Sequence, residues 1–189
     1  CLDKPTAGEY LLSGIPVHKM STSALARVRN EQIGFVFQSF ELLSRQTALK
    51  NVTLPMVYSR RYWLGARKRA KEALERVGLG ERLHHRPNQL SGGQRQRVAL
   101  ARAIIAENNI CLMDEPLSNL DAKLRHDMRV EIRALQQRLN MTVIYVTHDQ
   151  AEAMSMGDKV ILMRDGCIEQ EGTPEALYER PMTTFAASF

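Results

Sequence analysis

The sequence contains little cysteine and no long apolar stretch. Its three cysteines, Cys1, Cys111 and Cys167, lie far apart and show no Cys-x-x-Cys spacing. This pattern argues against a disulfide framework or a zinc site and suits a reducing cytoplasm. No uninterrupted apolar run approaches the roughly 18 residues of a membrane-spanning helix. We therefore expect a chain that does not cross a bilayer by itself.

Aromatic residues make up only 6% of the chain, but apolar residues as a whole are plentiful. Of its 189 residues, 44% are hydrophobic and 25% are charged. That composition is typical of a globular domain with a core and excludes a disordered chain. The length corresponds to one domain of the usual size, about 100–200 residues.

Acidic residues are scarce in about a quarter of the chain, residues 41–90. Residues 41–90 contain eleven basic and four acidic residues, a net charge of +7, whereas the rest carries −2 of the total of +5. Such clustering predicts an anionic partner, either nucleic acid, phosphate or a membrane surface. The Arg-rich stretch 60–71 is more simply interpreted as a solvated face or a surface near lipid headgroups than as a nucleic-acid site.

Apolar runs alternate with amphipathic segments along the chain. We predict strands over 33–37, 110–113, 142–146 and 159–163, and helices over 21–29, 47–56, 67–77, 91–106, 120–139, 150–156 and from Pro174. Strands that alternate with helices indicate an α/β fold with a parallel sheet. The continuous run 110–113 is typical of a strand buried on both faces. Asp165 and Gly166 predict a hairpin turn.

Two adjacent carboxylates, Asp114 and Glu115, follow the apolar run 110–113. This order places both at the carboxyl edge of the predicted sheet, where such folds bind ligands. An aspartate there can hold Mg²⁺, usually through water, and a neighbouring glutamate can polarise an attacking water. The alternative is a strand end that carries two solvated acids.

Other polar residues are predicted at the same edge or at a helix start. Gln38 closes the strand 33–37 and can reach a metal or water, and His148 follows the strand 142–146 and can contact a phosphate. A surface glutamine and a structural histidine are the alternatives. The stretch from Ser91 to Gln94 predicts a capping box, and its two glycines let an anion approach the backbone at a helix N-terminus.

Five segments occur in a characteristic order: FQ at 37–38, LSGGQ at 90–94, ICLMDE at 110–115, SNLD at 118–121 and THD at 147–149. They resemble the Q-loop, signature motif, Walker B segment, D-loop and H-loop of the nucleotide-binding domain of ATP-binding cassette (ABC) proteins. The resemblance covers essentially the whole chain, and LSGGQ followed by a Walker B segment with Asp-Glu-Pro is highly specific. It implies a P-loop NTPase-like parallel sheet with an inserted helical subdomain.

The resemblance also implies a domain organisation and a function. Residues 1–40 would be an incomplete catalytic core, 41–90 the helical subdomain, and 91–189 the signature helix and RecA-like core. The protein would bind and hydrolyse ATP with Mg²⁺ and power solute transport. It would dimerise with a second nucleotide-binding subunit on transmembrane permease subunits, at the cytoplasmic face of the cell membrane.

One alternative function remains open, a soluble ABC-type ATPase that acts on nucleic acid. Its support is the +7 charge of residues 41–90. The zinc modules and coiled-coil insertions usual in such relatives are absent from this segment, so we expect no nucleic-acid partner.

Roles for the residues at the sheet edge follow from the resemblance. Gln38 would sense Mg²⁺ and the attacking water, and Asp114 would position Mg²⁺. Glu115 would be the catalytic base, and His148 would contact the γ-phosphate. Phosphoryl transfer depends mainly on positioning and charge neutralisation, and these residue types supply both.

The signature and D-loop residues would act across a dimer. The resemblance implies that Ser91, Gly92 and Gly93, with Gln94 beside them, bind the γ-phosphate of an ATP held by the opposite subunit. Asp121 would communicate between the two subunits.

The phosphate-binding loop GxxxxGK[ST] is absent, and no Gly-Lys pair occurs anywhere. We therefore expect that the N-terminal part of the core is missing and that this chain alone binds ATP poorly and does not hydrolyse it. Residues 1 to about 100 resemble macrolide-export and lipoprotein-release ATPases. From Asp114 onward the chain resembles ATPases of sugar and glycerol-phosphate importers. Mixed ancestry, a chimera and a partial gene all fit this pattern.

Overall fold

A short antiparallel strand pair lies in the N-terminal part of the chain. The computed structural model describes residues 1–3, 5–59 and 64–189. Strand β1 (Leu11–Leu12) pairs with β2 (Ile15–Pro16). Ser13 and Gly14 make the tight turn between them with φ of 50° and 78°. Arg60 and Arg61, which contribute to the basic segment, lie outside the described residues.

The central sheet consists of three parallel strands, which confirms the predicted α/β fold. Strand β4 (Ile110–Asp114) lies between β3 (Ile33–Val36) and β5 (Thr142–Val146). Parallel pairing brings the carboxyl ends of all three strands to one edge of the sheet.

The helices begin where short polar side chains can cap them. They are α1 (Thr22–Gln32), α2 (Ala48–Val57), α3 (Ala66–Arg76), α4 (Gly92–Ile104), α5 (Ala122–Leu139), α6 (Gln150–Met156), α7 (Pro174–Glu179) and α8 (Thr184–Ser188). In all but α3, a Ser, Thr or Asp side chain at the N-cap accepts a hydrogen bond from a backbone N–H of the first turn. Such caps stabilise a helix by about 1 kcal/mol. Short 3₁₀ turns lie at Val17–Lys19, Gly80–Arg82 and Pro87–Gln89.

The main core joins the helical region to the sheet. Helices α2, α3 and α4 pack on one another, and α4 also packs on β3. This core continues through β4 to the inner face of α5, where Met128 and Ile132 are buried. At Gly34 an added Cβ would lie 2.8 Å from the carbonyl oxygen of Ala103. Only glycine therefore allows α4 to approach β3 this closely.

Strand β4 is less buried than its sequence predicts. Cys111 and Met113 are buried in the main core, but Ile110 and Leu112 are half-buried. The predicted burial on both faces is wrong in this respect. Ile110 and Leu112 pack against the smaller cluster that includes Leu25 of α1, which covers them incompletely.

The last two strands form a separate hairpin. Strand β6 (Val160–Arg164) pairs antiparallel with β7 (Cys167–Gly172), and Asp165 and Gly166 turn between them with φ of 50° and 79°. This confirms the hairpin turn, although among the described residues β6 does not join the parallel sheet. In the part of the chain that is described, no helix is both long and apolar enough to span a membrane.

Candidate functional site

Glu115 is the first residue after β4, and its backbone is strained. Its φ is 41°, in the left-handed region that non-glycine residues seldom occupy. The Glu115 N–H donates to the carbonyl oxygen of Val146 at 2.9 Å, and its own carbonyl accepts from the Ser118 hydroxyl at 2.9 Å. These bonds hold the strained residue in place, as is typical of functional sites.

Gln38 and His148 both contact the Glu115 carboxylate. The Gln38 Nε2 donates to Oε2 at 3.2 Å, and the His148 Nδ1 lies 2.9 Å from Oε1. Gln38 follows β3 and His148 follows β5, so the parallel pairing of the three strands brings these side chains to one place. We call this group of three residues the Glu115 cluster.

The Glu115 carboxylate favours the protonated form of His148. Its hydrogen bond and its negative charge raise the pKa of His148, and Glu152 and Asp149 contribute in the same direction. The His148 side chain is 76% exposed, and that of Glu115 is 30% exposed. The pair therefore presents an imidazole that Glu115 makes easier to protonate, together with a partly exposed carboxylate, to an incoming ligand.

Three contacting residues were missed by sequence reasoning, and the first is Asn119. Its side-chain Nδ2 donates to the backbone oxygen of Gln38 at 3.0 Å. The turn after β4 therefore supports the residue that closes β3. No spacing in the sequence indicates this contact, because the two residues are 81 positions apart.

Glu152 is the second missed residue, and it anchors the loop that carries His148. Its side chain is buried, and its Oε2 accepts from the Tyr145 hydroxyl at 2.9 Å and from the Thr147 hydroxyl at 2.8 Å. Burial, with the Glu152 charge and hydrogen bond, raises the pKa of Tyr145. The signal available in the sequence was an acidic residue in the first turn of the predicted helix 150–156.

Arg125 is the third contacting residue that sequence reasoning missed. Its Nη2 donates to the carbonyl oxygen of Leu120 at 3.1 Å, and its Nη1 lies 3.6 Å from Oδ2 of Asp149. Asp149 caps α6 by accepting from the Glu152 N–H at 3.0 Å. Arg125 thus connects the start of α5 with the loop that follows β5.

The predicted capping box is present at the start of α4. The Gln94 N–H donates to the Ser91 hydroxyl at 3.3 Å, and the Ser91 N–H donates to Oε1 of Gln94 at 3.0 Å. Gly92 and Gly93 occupy the first turn, where backbone N–H groups have no intrahelical acceptor and can bind an anion. An added Cβ on Gly93 would also meet Leu124 at 2.9 Å, so this glycine has a packing role as well.

The signature residues are not part of the Glu115 cluster. Within the described ranges, no hydrogen bond connects residues 91–94 with Gln38, Glu115 or His148. Asp121 is also elsewhere, because its carboxylate caps α5 by accepting from the Leu124 N–H at 2.9 Å. Among the described residues, neither the signature residues nor Asp121 therefore forms hydrogen bonds with the Glu115 cluster.

Two residues at this sheet edge carry oxygen atoms of the type that Mg²⁺ prefers. Asp114 ends β4 with an exposed carboxylate, and Gln38 offers an amide oxygen. The described residues contain no group of three metal-ligating His, Cys, Asp or Glu side chains. Mg²⁺ does not need such a group, because it is often held by one or two protein oxygens together with phosphate oxygens and water.

Comparison with known proteins identifies the family. A family model described as ABC transporter matches residues 2–118. The chain belongs to the ABC transporter family. Membership of this family implies nucleotide binding, and it confirms the resemblance found in the motifs. The resemblance of the N-terminal part to macrolide-export and lipoprotein-release ATPases stays a prediction.

Curated ABC relatives match across the chain. The chain is 46% identical over 188 residues to the Fe(3+) ions import ATP-binding protein FbpC of Rhizobium etli, covering 100% of this chain and 52% of that protein. It is 43% identical over 188 residues to the trehalose/maltose import ATP-binding protein MalK of Thermococcus litoralis, covering 100% of this chain and 50% of that protein. The chain thus spans about half the length of the curated relatives it matches.

Solved ABC structures confirm the fold. The ATP-binding cassette MJ0796, in a dimeric post-hydrolysis state bound to ADP and Pi, superimposes with a TM-score of 0.80 at 40% identity. The match covers 92% of this chain and 76% of that one. A second dimeric MJ0796 structure matches with a TM-score of 0.79 and 39% identity.

Proposed function

We propose that this chain is the ATP-binding and hydrolysing part of an ABC transporter that powers solute transport. The observation that carries the proposal is the convergence of Gln38 and His148 on the Glu115 carboxylate at one sheet edge. The relatives named as import ATP-binding proteins and the ADP-bound MJ0796 structure support it.

Glu115 is the proposed catalytic base. Gln38 and His148 each contact one oxygen of its carboxylate, and the side chain is partly open to solvent. A carboxylate so placed can accept a proton from the attacking water. His148, which is fully protonated only below its raised pKa, would neutralise charge on the γ-phosphate.

Asp114 and Gln38 are the proposed holders of Mg²⁺. When bound, this ion would neutralise phosphate charge and position the phosphoryl group. Gln38 also donates to Glu115, so one side chain would connect the ion with the base.

A second nucleotide-binding subunit completes the proposal. Ser91, Gly92 and Gly93 would bind the γ-phosphate of the ATP held by that subunit, with Gln94 closing the capping box that orients them. The free N–H groups of a helix start favour such an anion. Asp121 would lie at the subunit boundary, where its cap fixes the start of α5.

The remaining partners and the location follow from the same proposal. Residues 41–90 would form the helical subdomain that faces transmembrane permease subunits, between a core of residues 1–40 and one of residues 91–189. The protein would lie at the cytoplasmic face of the membrane. Because the sequence has no GxxxxGK[ST] loop, we expect the chain alone to bind ATP poorly and not to hydrolyse it.

An ABC-type ATPase acting on nucleic acid is the second candidate, and the net charge of +7 over residues 41–90 favours it. One of those net positive charges is balanced in the structure by an acidic residue outside the segment. Arg69 of α3 pairs with Glu107 at 3.2 Å. This internal pairing reduces the positive potential that α3 can offer to a phosphate backbone.

The test is isolation of the gene product from its own cells with whatever proteins accompany it. Transmembrane proteins should co-purify. The isolated complex, unlike the chain alone, should hydrolyse ATP with Mg²⁺, and this rate should fall at least about a hundredfold in Glu115→Gln. Glu179→Gln, a change at an exposed position of α7, is the matched control. Unchanged hydrolysis in Glu115→Gln would contradict the role of Glu115. Salt-sensitive nucleic-acid binding without membrane proteins would support the second candidate instead.

A further inference from the structure

The turn that follows Gln38 is strained at two consecutive residues. Phe40 has a φ of 61° and Glu41 a φ of 46°, and neither is a glycine. The left-handed region is unfavourable for any residue that has a Cβ, so this turn needs support from its surroundings. Its local bonds are few: the Phe40 N–H donates to Phe37 at 3.0 Å and the Glu41 N–H to Ser39 at 2.7 Å.

Arg102 binds the backbone of both strained residues. It lies in the last turn of α4, and its Nη2 donates to the Phe40 carbonyl oxygen at 2.8 Å while Nη1 donates to that of Glu41. The side chain is half-buried. Burial lowers the pKa of Arg102, and the charge of Glu41 opposes that shift. A planar guanidinium can hold two carbonyl oxygens at once, which a single ammonium cannot do in the same geometry.

Gln38 lies between this turn and a second support. Asn119, in the turn after β4, donates a hydrogen bond to the Gln38 backbone oxygen. Arg102 donates to the backbone oxygen of Phe40, two residues after Gln38. The Gln38 side chain then reaches Glu115 at 3.2 Å. A change in the turn would therefore move the backbone from which this side chain extends.

We propose that Arg102 is a positioning residue that maintains the strained turn at Phe40 and Glu41 and so keeps Gln38 against Glu115. Helix α4 is one rigid element with Ser91 at its start and Arg102 near its end. Arg102 therefore couples the position of the signature segment to that of Gln38. The inference rests on the proposed function only for the role of Gln38 in ATP hydrolysis.

Amide hydrogen exchange of the full chain, followed by NMR without nucleotide, tests this proposal. In Arg102→Met, the amides of Phe40 and Glu41 should exchange about tenfold faster, because bonds from a charged donor are lost. The side-chain NH₂ signals of Gln38 should move toward those of a solvated glutamine. Arg102→Lys should give an intermediate effect, and Arg95→Met, at an exposed position of the same helix, should give none.

A second substitution separates positioning from general stability. Glu41→Gly removes the backbone strain at one of the two residues, so in that background Arg102→Met should change exchange at Phe40 less than it does alone. Equal effects in both backgrounds, or unchanged Gln38 signals in Arg102→Met, would overturn the proposal. If Arg102→Met does not fold, Arg102→Lys with and without Glu41→Gly makes the same comparison. Since no nucleotide is present, loss of the proposed ATPase function would leave these results unchanged.

Discussion

The Nδ1 of His148 lies 2.9 Å from the Oε1 of Glu115, a residue 33 positions earlier in the chain. This contact connects the ends of β5 and β4. It is neither a buried structural pair nor two separately solvated groups, since Glu115 is 30% and His148 76% exposed. The two alternatives that the sequence leaves open for these residues, a solvated acid and a structural histidine, therefore describe them poorly.

Replacement of Glu115 by glutamine should lower the pKa of His148 toward its ordinary value of 6.5. The carboxylate's hydrogen bond and charge are the largest causes of the raised value, and glutamine carries no charge. NMR titration of the histidine ring signals measures the change, with Glu179→Gln as the control. An unchanged His148 pKa in Glu115→Gln would show that the pair does not exist in solution.

The His148–Glu115 pair should stabilise the fold at low rather than high pH. Because folding raises the pKa of His148, the contribution is fully present below the unfolded value of 6.5 and is lost as pH rises through the raised value. Thermal unfolding of the chain and of His148→Ala should therefore differ more at pH 6 than at pH 9. A difference that grows with pH would contradict this sign.

Tyr145→Phe should lower the free energy of unfolding by about 1–2 kcal/mol, because it removes a hydrogen bond to a buried carboxylate. The Tyr145 hydroxyl donates to Glu152 at 2.9 Å, and Thr147 is the other donor to the same oxygen. Denaturant unfolding measures the loss. Tyr178→Phe, at a position 79% exposed, is the matched control. Equal stability of the two variants would show that the hydrogen bond from Tyr145 to Glu152 does not anchor the loop that carries His148.

Gly34→Ala should destabilise the chain by about 1–3 kcal/mol through overpacking. The new Cβ would lie 2.8 Å from the backbone oxygen of Ala103, and a backbone atom cannot move aside alone. Gly80→Ala is a suitable control, since its Cβ would meet only the flexible Cγ of Glu75, at 3.1 Å. Chemical denaturation of both variants is the measurement, and equal losses would mean that α4 does not pack on β3 as described.

Local features of this fold were predictable from the sequence because they depend on neighbouring residues. The capping box of Ser91 and Gln94 and the left-handed turn at Asp165 and Gly166 involve residues one to three positions apart. The positions of Gln38, Glu115 and His148 at strand ends were also predictable, because each residue comes just after an apolar run in the sequence. Parallel pairing then places those ends at one edge.

Contacts between distant elements were not predictable in this way. Arg102 and Phe40 are 62 positions apart, and no periodicity indicates that a half-buried arginine binds a strained turn. The need for glycine at position 34 was also not predictable, because it arises from the backbone of α4 and not from β3 itself. The half-burial of Leu112 also depends on how completely another element, α1, covers the sheet.

The central claim is that Asp114, Gln38 and His148 surround the phosphates and metal ion of a bound nucleotide. The most direct test is line broadening of NMR signals by Mn²⁺ with ATP at millimolar concentration, where even weak binding is detected. We predict that the signals of Gln38 and His148 broaden first, that Asp114→Asn abolishes this broadening, and that the control Asp165→Asn, in the β6–β7 turn, does not. Broadening centred elsewhere, absent at Gln38 and His148, or equal in Asp114→Asn and the unmodified chain would contradict it.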